Sequence, residues 1–444
     1  MFSIKEFFKS IPKQVKIAGG IIIAGAAIFC LVWFDIASKE TIVITAISLG
    51  LFLLVVLIHE LGHFSFARLF DVNVIEFAIG MGPKLWSKRG KKHNGETLYS
   101  VRAFPIGGFC LMEGEDGDYS DNGEASDETG DIEVVHEPSE RALFRKKPWQ
   151  RAAILAAGAV FNIILGFIFM LIVQAQQPAY ASNTISGFGP TDEISEEEYL
   201  AASDSELYFI YEKDGKTHYL RHDLSSRTGL QAGDTILTVD GSRTLCFDDI
   251  AFSIAMSNDG IVDFTVIRDG EKIELKGVQF YRGRDEKSGF EYTIRDFYVE
   301  RIPRTFGSMM SQTYYRSVFM MKSVYVSLWR MVSGQGSMNE MSGPIGIASI
   351  IGEAAQQGFA ESVAKGVNNI LDIMALITFN LGIFNLLPFP ALDGSRLIFV
   401  LLEAIRKKPI PSKWEGLIHG IGFMLLIGLM ILITFKDLIS CFPK

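Results

Sequence analysis

Long apolar runs separated by polar segments extend along the whole chain and predict a polytopic α-helical membrane protein with about five spans. A helix needs about 20 predominantly apolar residues to cross the hydrocarbon core of a bilayer. Such runs predict helices over residues 41–70, 149–174, 368–398 and 417–436. A further run, residues 17–34, follows a lysine-rich start, and its length favours an uncleaved membrane helix over a secretory signal.

The positions of lysine and arginine orient these helices across the membrane. The lysines of residues 1–16 are expected to stay in the cytoplasm, so the first helix runs outward and ends in an external turn. The second helix then runs inward, and basic residues near both ends of residues 71–148 keep that segment cytoplasmic. By the same rule, residues 175–300 are extracytoplasmic, residues 399–416 form a basic cytoplasmic loop, and the C-terminus is external.

The polar segments carry patterns of their own. Residues 71–112 contain β-rich runs around Asn94-Gly95, which predicts either a β-loop whose edge holds an extended peptide or an ordinary solvated hairpin. Residues 113–148 form an acidic insert that is poor in apolar side chains. Residues 206–278 alternate β runs with turns and one helix, as in a small β domain. Residues 301–367 are expected to form an amphipathic helical connector, either on the outer membrane surface or packed against the protein.

Charge and cysteine content argue against several kinds of function. The chain has 51 acidic and 42 basic residues, a net charge of −9, and no block of basic residues with interleaved aromatics. Nucleic-acid binding is therefore not predicted. The four cysteines are scattered without a CxxC spacing, so neither a disulfide framework nor a thiolate metal site is indicated.

The apolar run of residues 41–70 contains His59, Glu60 and His63 near its end. On a helix, residues four apart lie on one face, so the two histidines can offer imidazole nitrogens to one metal ion. Glu60 lies beside them, where it can take a proton from a water molecule. Ionisable residues at membrane depth are costly and usually mark function, which favours a catalytic metal site over a chance pattern.

Two imidazoles do not complete a catalytic zinc site, which normally has three protein ligands and an open position. Asp393 is the best remaining candidate, at the end of the span 368–398, behind Pro388 and Pro390. The predicted topology brings this end of the helix to the same membrane face as His63. The alternative is an Asp-Gly turn that only caps a helix end.

Together these motifs resemble the bacterial intramembrane zinc metalloproteases of the site-2 protease family, most closely the regulated-intramembrane-proteolysis group with one PDZ domain. The resemblance rests on HELGH at residues 59–63 and NLLPFPALDG at residues 385–394. The segments EFAIGMGPKLW, YSVRAFPIGGFCLMEGED, GLQAGDTILTVDG and SGPIGI also look like family segments. The likeness extends from about residue 41 to the end of the chain.

The resemblance implies roles for individual residues. His59, His63 and Asp393 would bind Zn²⁺, Glu60 would be the general base, and Asn385 would hold the substrate or the developing oxyanion. Residues 71–112 would form a membrane-associated β-loop on the cytoplasmic side that pairs with unwound substrate. An inserted extracytoplasmic PDZ-like α+β domain, at about residues 206–283, would act as a docking site or filter.

The implied substrates are single-span membrane proteins, either regulators such as anti-sigma factors or remnant signal peptides, cut after a first extracytoplasmic cleavage. Membrane lipid is an expected partner, and the sequence does not predict an oligomeric state. The predicted segments are the extra N-terminal helix and turn (1–40), the HExxH helix (41–70), the β-loop (71–112), the acidic insert (113–148), a helix (149–174), the external region (175–300), the connector (301–367), the helix with the N-x-x-P and LDG motifs (368–398), the basic loop (399–416) and the last helix (417–436).

Two departures from the family pattern are present. The usual LDGG reads LDGS at residues 392–395, and the frequent AGP-x-x-N reads AGAVFN at residues 157–162. Neither is expected to touch a metal ligand. A prenyl-protein-processing metalloprotease also carries HExxH in a membrane helix, but should show a later glutamate-containing motif. A PDZ-bearing membrane scaffold or a metal transporter without protease activity remains the alternative function.

Overall fold

The computed structural model describes residues 39–90, 97–115, 124–126, 132–134, 139–189, 193–194, 208–213, 216–221, 223–284, 291–334, 344–408 and 412–440. The predicted first span at residues 17–34, the Asn94-Gly95 turn and most of the acidic insert lie outside these residues.

The helices and strands follow in a simple order. The helices are α1 (Lys39–Leu69), α2 (Pro148–Gln176), α3 (Phe247–Ala255), α4 (Phe306–Val332), α5 (Pro344–Glu361), α6 (Val363–Leu386), α7 (Asp393–Arg406) and α8 (Ser412–Ser440). The strands are β1 (Val74–Arg89), β2 (Leu98–Met112), β3 (Glu124–Ser126), β4 (Ile132–Val134), β5 (Ala179–Phe188), β6 (Glu193–Ile194), β7 (Tyr208–Lys213), β8 (Lys216–Arg221), β9 (Thr235–Val239), β10 (Ser242–Arg243), β11 (Ile261–Arg268), β12 (Glu271–Gln279), β13 (Arg282–Arg284), β14 (Glu291–Thr293) and β15 (Phe297–Pro303). A 3₁₀ turn, Leu143–Arg145, precedes α2.

Four of the described helices are long and apolar enough to cross a membrane. The candidate spans are Ile47–Leu69, Pro148–Gln176, Val363–Leu386 and Trp414–Lys436. They coincide with four of the predicted spans, so the chain is a multi-pass membrane protein. The described residues form two compact units, one within Met1–Gly166 and Ser342–Lys444 and the other within Phe167–Met341.

Glycines let the helices of the first unit approach closely. A Cβ atom at Gly62 of α1 would lie 2.5 Å from the carbonyl oxygen of Ala157 on α2. A Cβ atom at Gly382 of α6 would lie 3.0 Å from the carbonyl oxygen of Ala159. Small residues at such crossings allow backbone-to-backbone packing, on which membrane helices depend because lipid offers no hydrophobic drive for their association. The two crossings bring α1 and α6 against the same part of α2.

The predicted helix at residues 368–398 is two helices. α6 ends at Leu386 and α7 begins at Asp393, with a loop of six residues between them. Pro388 and Pro390 account for the break, because proline lacks the amide donor and disfavours helical backbone in the preceding residue. Ala391 in this loop has a φ of +74°, a value that residues other than glycine rarely adopt. Asp393 is therefore the first residue of a new helix rather than the end of a span.

The expected β-loop is a compact sheet formed by β1 and β2. Both strands bend at glycines with positive φ, among them Gly80 (+82°) and Gly107 (+86°). As a result, Phe77 in the first half of β1 lies between Tyr99 and Cys110 of β2. The second half of β1 pairs with the start of β2, with Arg89 opposite Leu98. The sheet thus has two outer edges, one near residues 84–89 and the other near residues 108–112.

The second unit is built on a six-stranded sheet in the order β12-β11-β9-β5-β15, with β10 paired to β9. Asp-Gly pairs form two of its tight turns. Asp269 and Gly270 have φ values of +53° and +85°, and Asp240 and Gly241 have values of +47° and +73°. Tight hairpin turns need positive φ at both central residues, which Asp-Gly tolerates. The helix α3 packs on the sheet through Ile250 and Ile254, both fully buried. The core also contains Ile185, Leu230, Ile236, Val239, Val262, Phe264, Val266, Val278, Phe280 and Phe297.

This domain extends beyond the expected range of residues 206–283. β5 and β15 flank that range in sequence and pair with each other from Ala179 opposite Pro303 to Phe188 opposite Phe297. Their pairing joins segments more than 100 residues apart, so the local pattern does not predict it. In its described residues, the expected connector at residues 301–367 begins with the end of β15, contains α4 and α5, and ends in the first turn of α6. α4 packs on α3, where the ammonium of Lys322 lies 2.9 Å from the buried carboxylate of Asp249.

An ion pair with one fully buried partner, Asp234, gives a stability prediction for this domain. The fully buried carboxylate of Asp234 accepts two hydrogen bonds of 2.7 Å from the guanidinium of Arg268. Arg268→Ala would leave this carboxylate without its counter-charge. Because the Arg268 side chain is 20% exposed, water can reach the vacated place, and the cost is about 1.5–3 kcal/mol. Hydrogen exchange on the full-length protein should show that the opening free energy of β9 and β11 falls by this amount. Arg301→Ala, at an exposed position of β15, is the matched control and should leave it unchanged. Equal protection in both variants would contradict the prediction.

Candidate active site

Three potential metal ligands from distant parts of the sequence meet in the first unit. The Nε2 atoms of His59 and His63 lie 3.2 Å apart. The Oδ2 atom of Asp393 lies 3.1 Å from His59 Nε2 and 3.3 Å from His63 Nε2. Both histidines are buried, whereas the side chain of Asp393 is 26% exposed. The structure therefore brings together the two histidines of α1 and the first residue of α7.

These separations fit a tetrahedral metal ion. Zinc–nitrogen and zinc–oxygen bonds of about 2.0–2.1 Å imply ligand–ligand distances of about 3.3 Å at the edges of a tetrahedron. The three observed distances, 3.1, 3.2 and 3.3 Å, all lie close to that value. Two histidines and one carboxylate leave one tetrahedral position open, as catalytic zinc sites do. Among the described residues, His59, His63 and Asp393 form the group of three or more His, Cys, Asp or Glu side chains that can hold a metal ion.

The orientation of His63 depends on the backbone of α2. Its Nδ1 atom lies 2.9 Å from the carbonyl oxygen of Ile154, which can only accept a hydrogen bond. The proton of the neutral ring is therefore on Nδ1, and Nε2 carries the lone pair that faces the other ligands. A hydrogen bond at the far nitrogen is the usual way in which proteins fix the tautomer and orientation of a metal-binding histidine.

Asn162 has the equivalent position beside His59. Its amide lies 3.3 Å from His59 Nδ1, while its Oδ1 atom is buried without a hydrogen-bond partner. The oxygen and nitrogen of an amide exchange places when the group turns by 180°. In the turned orientation Oδ1 accepts a hydrogen bond from the Nδ1–H of His59, which satisfies the buried oxygen and leaves Nε2 free to bind metal.

The expectation that AGAVFN touches no metal ligand is therefore wrong. Asn162 contacts His59, and Gly158 lies directly against both imidazoles. Ile154, Gly158 and Asn162 are spaced by four residues and so share one face of α2. The spacing itself was visible in the sequence, but nothing in α2 alone indicates that this face meets α1.

Glu60 lies between the two candidate ligand histidines in sequence and contacts the edge of the β1–β2 sheet. The backbone N–H of Cys110 donates a hydrogen bond to its carboxylate. A Cβ atom at Gly108 would lie 3.4 Å from Glu60 Cγ, so the strand runs directly past the acid. The general-base candidate is thus next to both the ligand cluster and a strand edge.

Asn385, the remaining predicted site residue, lies near the end of α6. It is buried, and its Nδ2 atom lies 3.4 Å from His59 Nε2. All five residues singled out from the sequence thus lie in one site that draws on α1, α6 and α7. The amide of Asn385 can donate hydrogen bonds toward an oxygen bound beside the ligand cluster.

Comparison with known proteins identifies the family. The sequence profile of peptidase family M50 matches residues 47–429, nearly the whole described chain. The chain belongs to peptidase family M50. A relative from Clostridium perfringens, whose name proposes that it is a zinc metalloprotease, is 31% identical over 385 residues, which are 86% of this chain and 95% of the relative.

Two further relatives carry the name RasP. The zinc metalloprotease RasP of Bacillus licheniformis is 26% identical over 448 aligned positions, covering 86% of this chain and 96% of the relative. The regulator of sigma-W protease RasP of Bacillus subtilis is also 26% identical, covering 86% and 95%. The present chain is accordingly a zinc metalloprotease of the site-2 protease type, and the scaffold and transporter alternatives are excluded.

The close approach of Gly158 to the imidazoles gives a prediction for this M50 site. A methyl group at this position would collide with His63 Nε2 and would lie 2.7 Å from His59 Cε1. Gly158→Ala should therefore displace the histidines and lower the zinc content of the purified protein severalfold. Gly50→Ala in α1 is the matched control, because a Cβ atom there meets nothing within 4 Å. A Gly158→Ala protein with one equivalent of zinc and full activity would contradict this account.

Proposed function

We propose that this protein hydrolyses peptide bonds within the transmembrane segments of single-span membrane proteins. The substrates would be anti-sigma-factor-like regulators or remnant signal peptides, left after a first extracytoplasmic cut. The observation that carries the proposal is the convergence of His59, His63 and Asp393 within 3.1–3.3 Å of one another, beside Glu60 and on helices able to span a membrane.

In this proposal His59, His63 and Asp393 hold Zn²⁺. Zinc, when bound, acts as a Lewis acid on the scissile carbonyl and lowers the pKa of a water molecule. Glu60 accepts a proton from the attacking water and passes it to the leaving amine as the peptide bond breaks. Asn385, whose amide is 3.4 Å from His59 Nε2, would donate a hydrogen bond to the oxygen that becomes negative in the transition state.

A helical substrate must unwind before it can be cut, because its peptide groups are hydrogen-bonded internally and nothing in lipid replaces those bonds. The outer edge of β2 at residues 108–112 is the proposed partner of the unwound segment. The backbone N–H of Cys110 donates a hydrogen bond to Glu60, and that of Met112 donates one to Glu115. Both acceptors lie outside the sheet, so alternate backbone groups of β2 face away from β1. An extended peptide added along this edge would pass directly beside Glu60.

The distribution of basic residues supports one orientation in the membrane. We infer that the active site faces the cytoplasmic side of the plasma membrane and that the domain containing β5–β15 is extracytoplasmic. The six-stranded sheet with α3 packed on it supports a PDZ-like domain. Such a domain would act as a docking site or filter that admits substrates only after their external part has been shortened.

The catalytic roles can be separated by zinc content and activity. Purified protein in detergent should cut a model single-span substrate within its apolar segment, as located by mass spectrometry of the products. Glu60→Gln should keep one equivalent of zinc and lose activity by at least about 100-fold, because it removes the base but no ligand. Asp393→Ala should lose zinc. Persistent cutting by Glu60→Gln, or zinc-free active wild type, would contradict the proposal.

The strand edge can be tested by photo-crosslinking in the Glu60→Gln background, where substrate binds but is not cut. A benzoylphenylalanine at Phe109 is expected to capture the substrate, because this residue lies on the proposed edge. The same group at Trp86, which is 54% exposed on the opposite edge of the sheet, is the matched control. Capture at Trp86 and not at Phe109 would place the substrate on the edge at residues 84–89, and would refute β-addition at residues 108–112.

A further inference from the structure

The last membrane helix contacts the loop that carries Asp393. α8 is largely exposed, with Met424 71% and Ile421 55% accessible, but Gly422 is buried and His419 partly buried. The Nδ1 atom of His419 accepts a hydrogen bond of 3.1 Å from the backbone N–H of Ala391. A Cβ atom at Gly422 would collide with Pro390. The inner face of α8 is thus fitted to the loop that precedes α7.

His419 is an unusual residue for this position. It is the one ionisable residue in the sequence between Glu415 and Lys436, within the candidate span Trp414–Lys436. Such residues in membrane helices are costly and normally serve a function. Its ring also makes a T-shaped contact with Phe399 of α7, with centroids 5.7 Å apart. His419 therefore bridges α8, the loop and α7.

The loop needs such support. Ala391 has a φ of +74°, which is strained for a residue with a Cβ atom, and Asp393 follows only two residues later. Leu392, the N-cap of α7, offers no side-chain hydrogen bond to the helix end. Strained backbone persists only where its surroundings hold it. The hydrogen bond from the strained residue's own N–H to His419 is a contact of that kind.

We propose that His419 is a positioning residue, which holds Ala391 and thereby sets the place of Asp393 in the metal site. This inference rests on the proposed role of Asp393 as a ligand. The imidazole does not touch substrate or metal; it acts through the loop backbone. Because Nδ1 accepts the hydrogen bond of the Ala391 N–H, the imidazole that makes this contact is neutral, with its proton on Nε2.

The proposal predicts which substitutions of His419 are tolerated. His419→Asn keeps an acceptor at nearly the position of Nδ1, whereas His419→Leu keeps the bulk without an acceptor. His419→Leu should lower kcat by about 10–100-fold and speed the loss of zinc to a chelator, as for other residues that support metal ligands. His419→Asn should stay within about threefold of wild type, and KM should be unchanged in both.

Two further variants, together with one control, separate a positioning role of His419 from a role in folding alone. Adding Ala391→Gly to His419→Leu should recover kcat by about fivefold, because glycine adopts positive φ without steric cost. Gly422→Ala should lower kcat by pushing on Pro390, whereas Gly420→Ala, where a Cβ atom meets nothing within 4 Å, is the matched control.

The measurements are steady-state kinetics on a single-span substrate and the rate of zinc release, with full-length protein in detergent. Equal kcat and zinc retention in His419→Leu and wild type would overturn the proposal, as would equal loss in His419→Leu and His419→Asn. Zinc content of wild type and activity of Glu60→Gln, measured in parallel, test the proposed function separately. Failure there would leave no metal site for His419 to support.

Discussion

Two imidazoles and a carboxylate lie within 3.1–3.3 Å of one another among helices that are apolar enough to cross a membrane. The arrangement of the unit within Met1–Gly166 and Ser342–Lys444 serves this constraint. Ionisable groups at this depth are stable only when paired or coordinated. Each is accordingly held from outside the ligand cluster, His63 by the carbonyl of Ile154, His59 by the amide of Asn162 and Asp393 by its place at the start of α7. The glycine crossings are what permit α1 and α2 to come near enough.

The same geometry links the ligand cluster to a β-sheet. Glu60 lies beside the candidate metal ligands on α1, and its carboxylate accepts a hydrogen bond from the backbone N–H of Cys110 on β2. A membrane protease needs an acidic residue next to its metal and a partner for the unwound backbone of its substrate. Here the contact between Glu60 and Cys110 brings the acidic residue and the strand edge together. The bends at Gly80 and Gly107 fold the strands so that residues 108–112 form an outer edge at this point.

Much of the site was predictable from the sequence, and the remainder depends on contacts between distant segments. HExxH in an apolar run predicts His59, Glu60 and His63 from local spacing alone, and the charge pattern pointed to Asp393 as a residue of the same membrane face. Asn162 and Gly158 were missed because their importance arises only from the α1–α2 crossing. The break before Asp393 was signalled by Pro388 and Pro390, yet the positive φ of Ala391 and its contact with α8 are tertiary features.

The atoms that surround zinc decide whether His59, His63 and Asp393 are its ligands. X-ray absorption at the zinc edge of the purified wild-type protein identifies these atoms directly. The expected spectrum has a shell of nitrogen and oxygen at about 2.0–2.1 Å, with outer-shell scattering from two imidazole rings. In Asp393→Cys, which keeps a ligand at the same position, a sulfur shell at about 2.3 Å should appear. A wild-type spectrum with sulfur ligands or a single imidazole would contradict the site, as would an Asp393→Cys protein that binds zinc without sulfur.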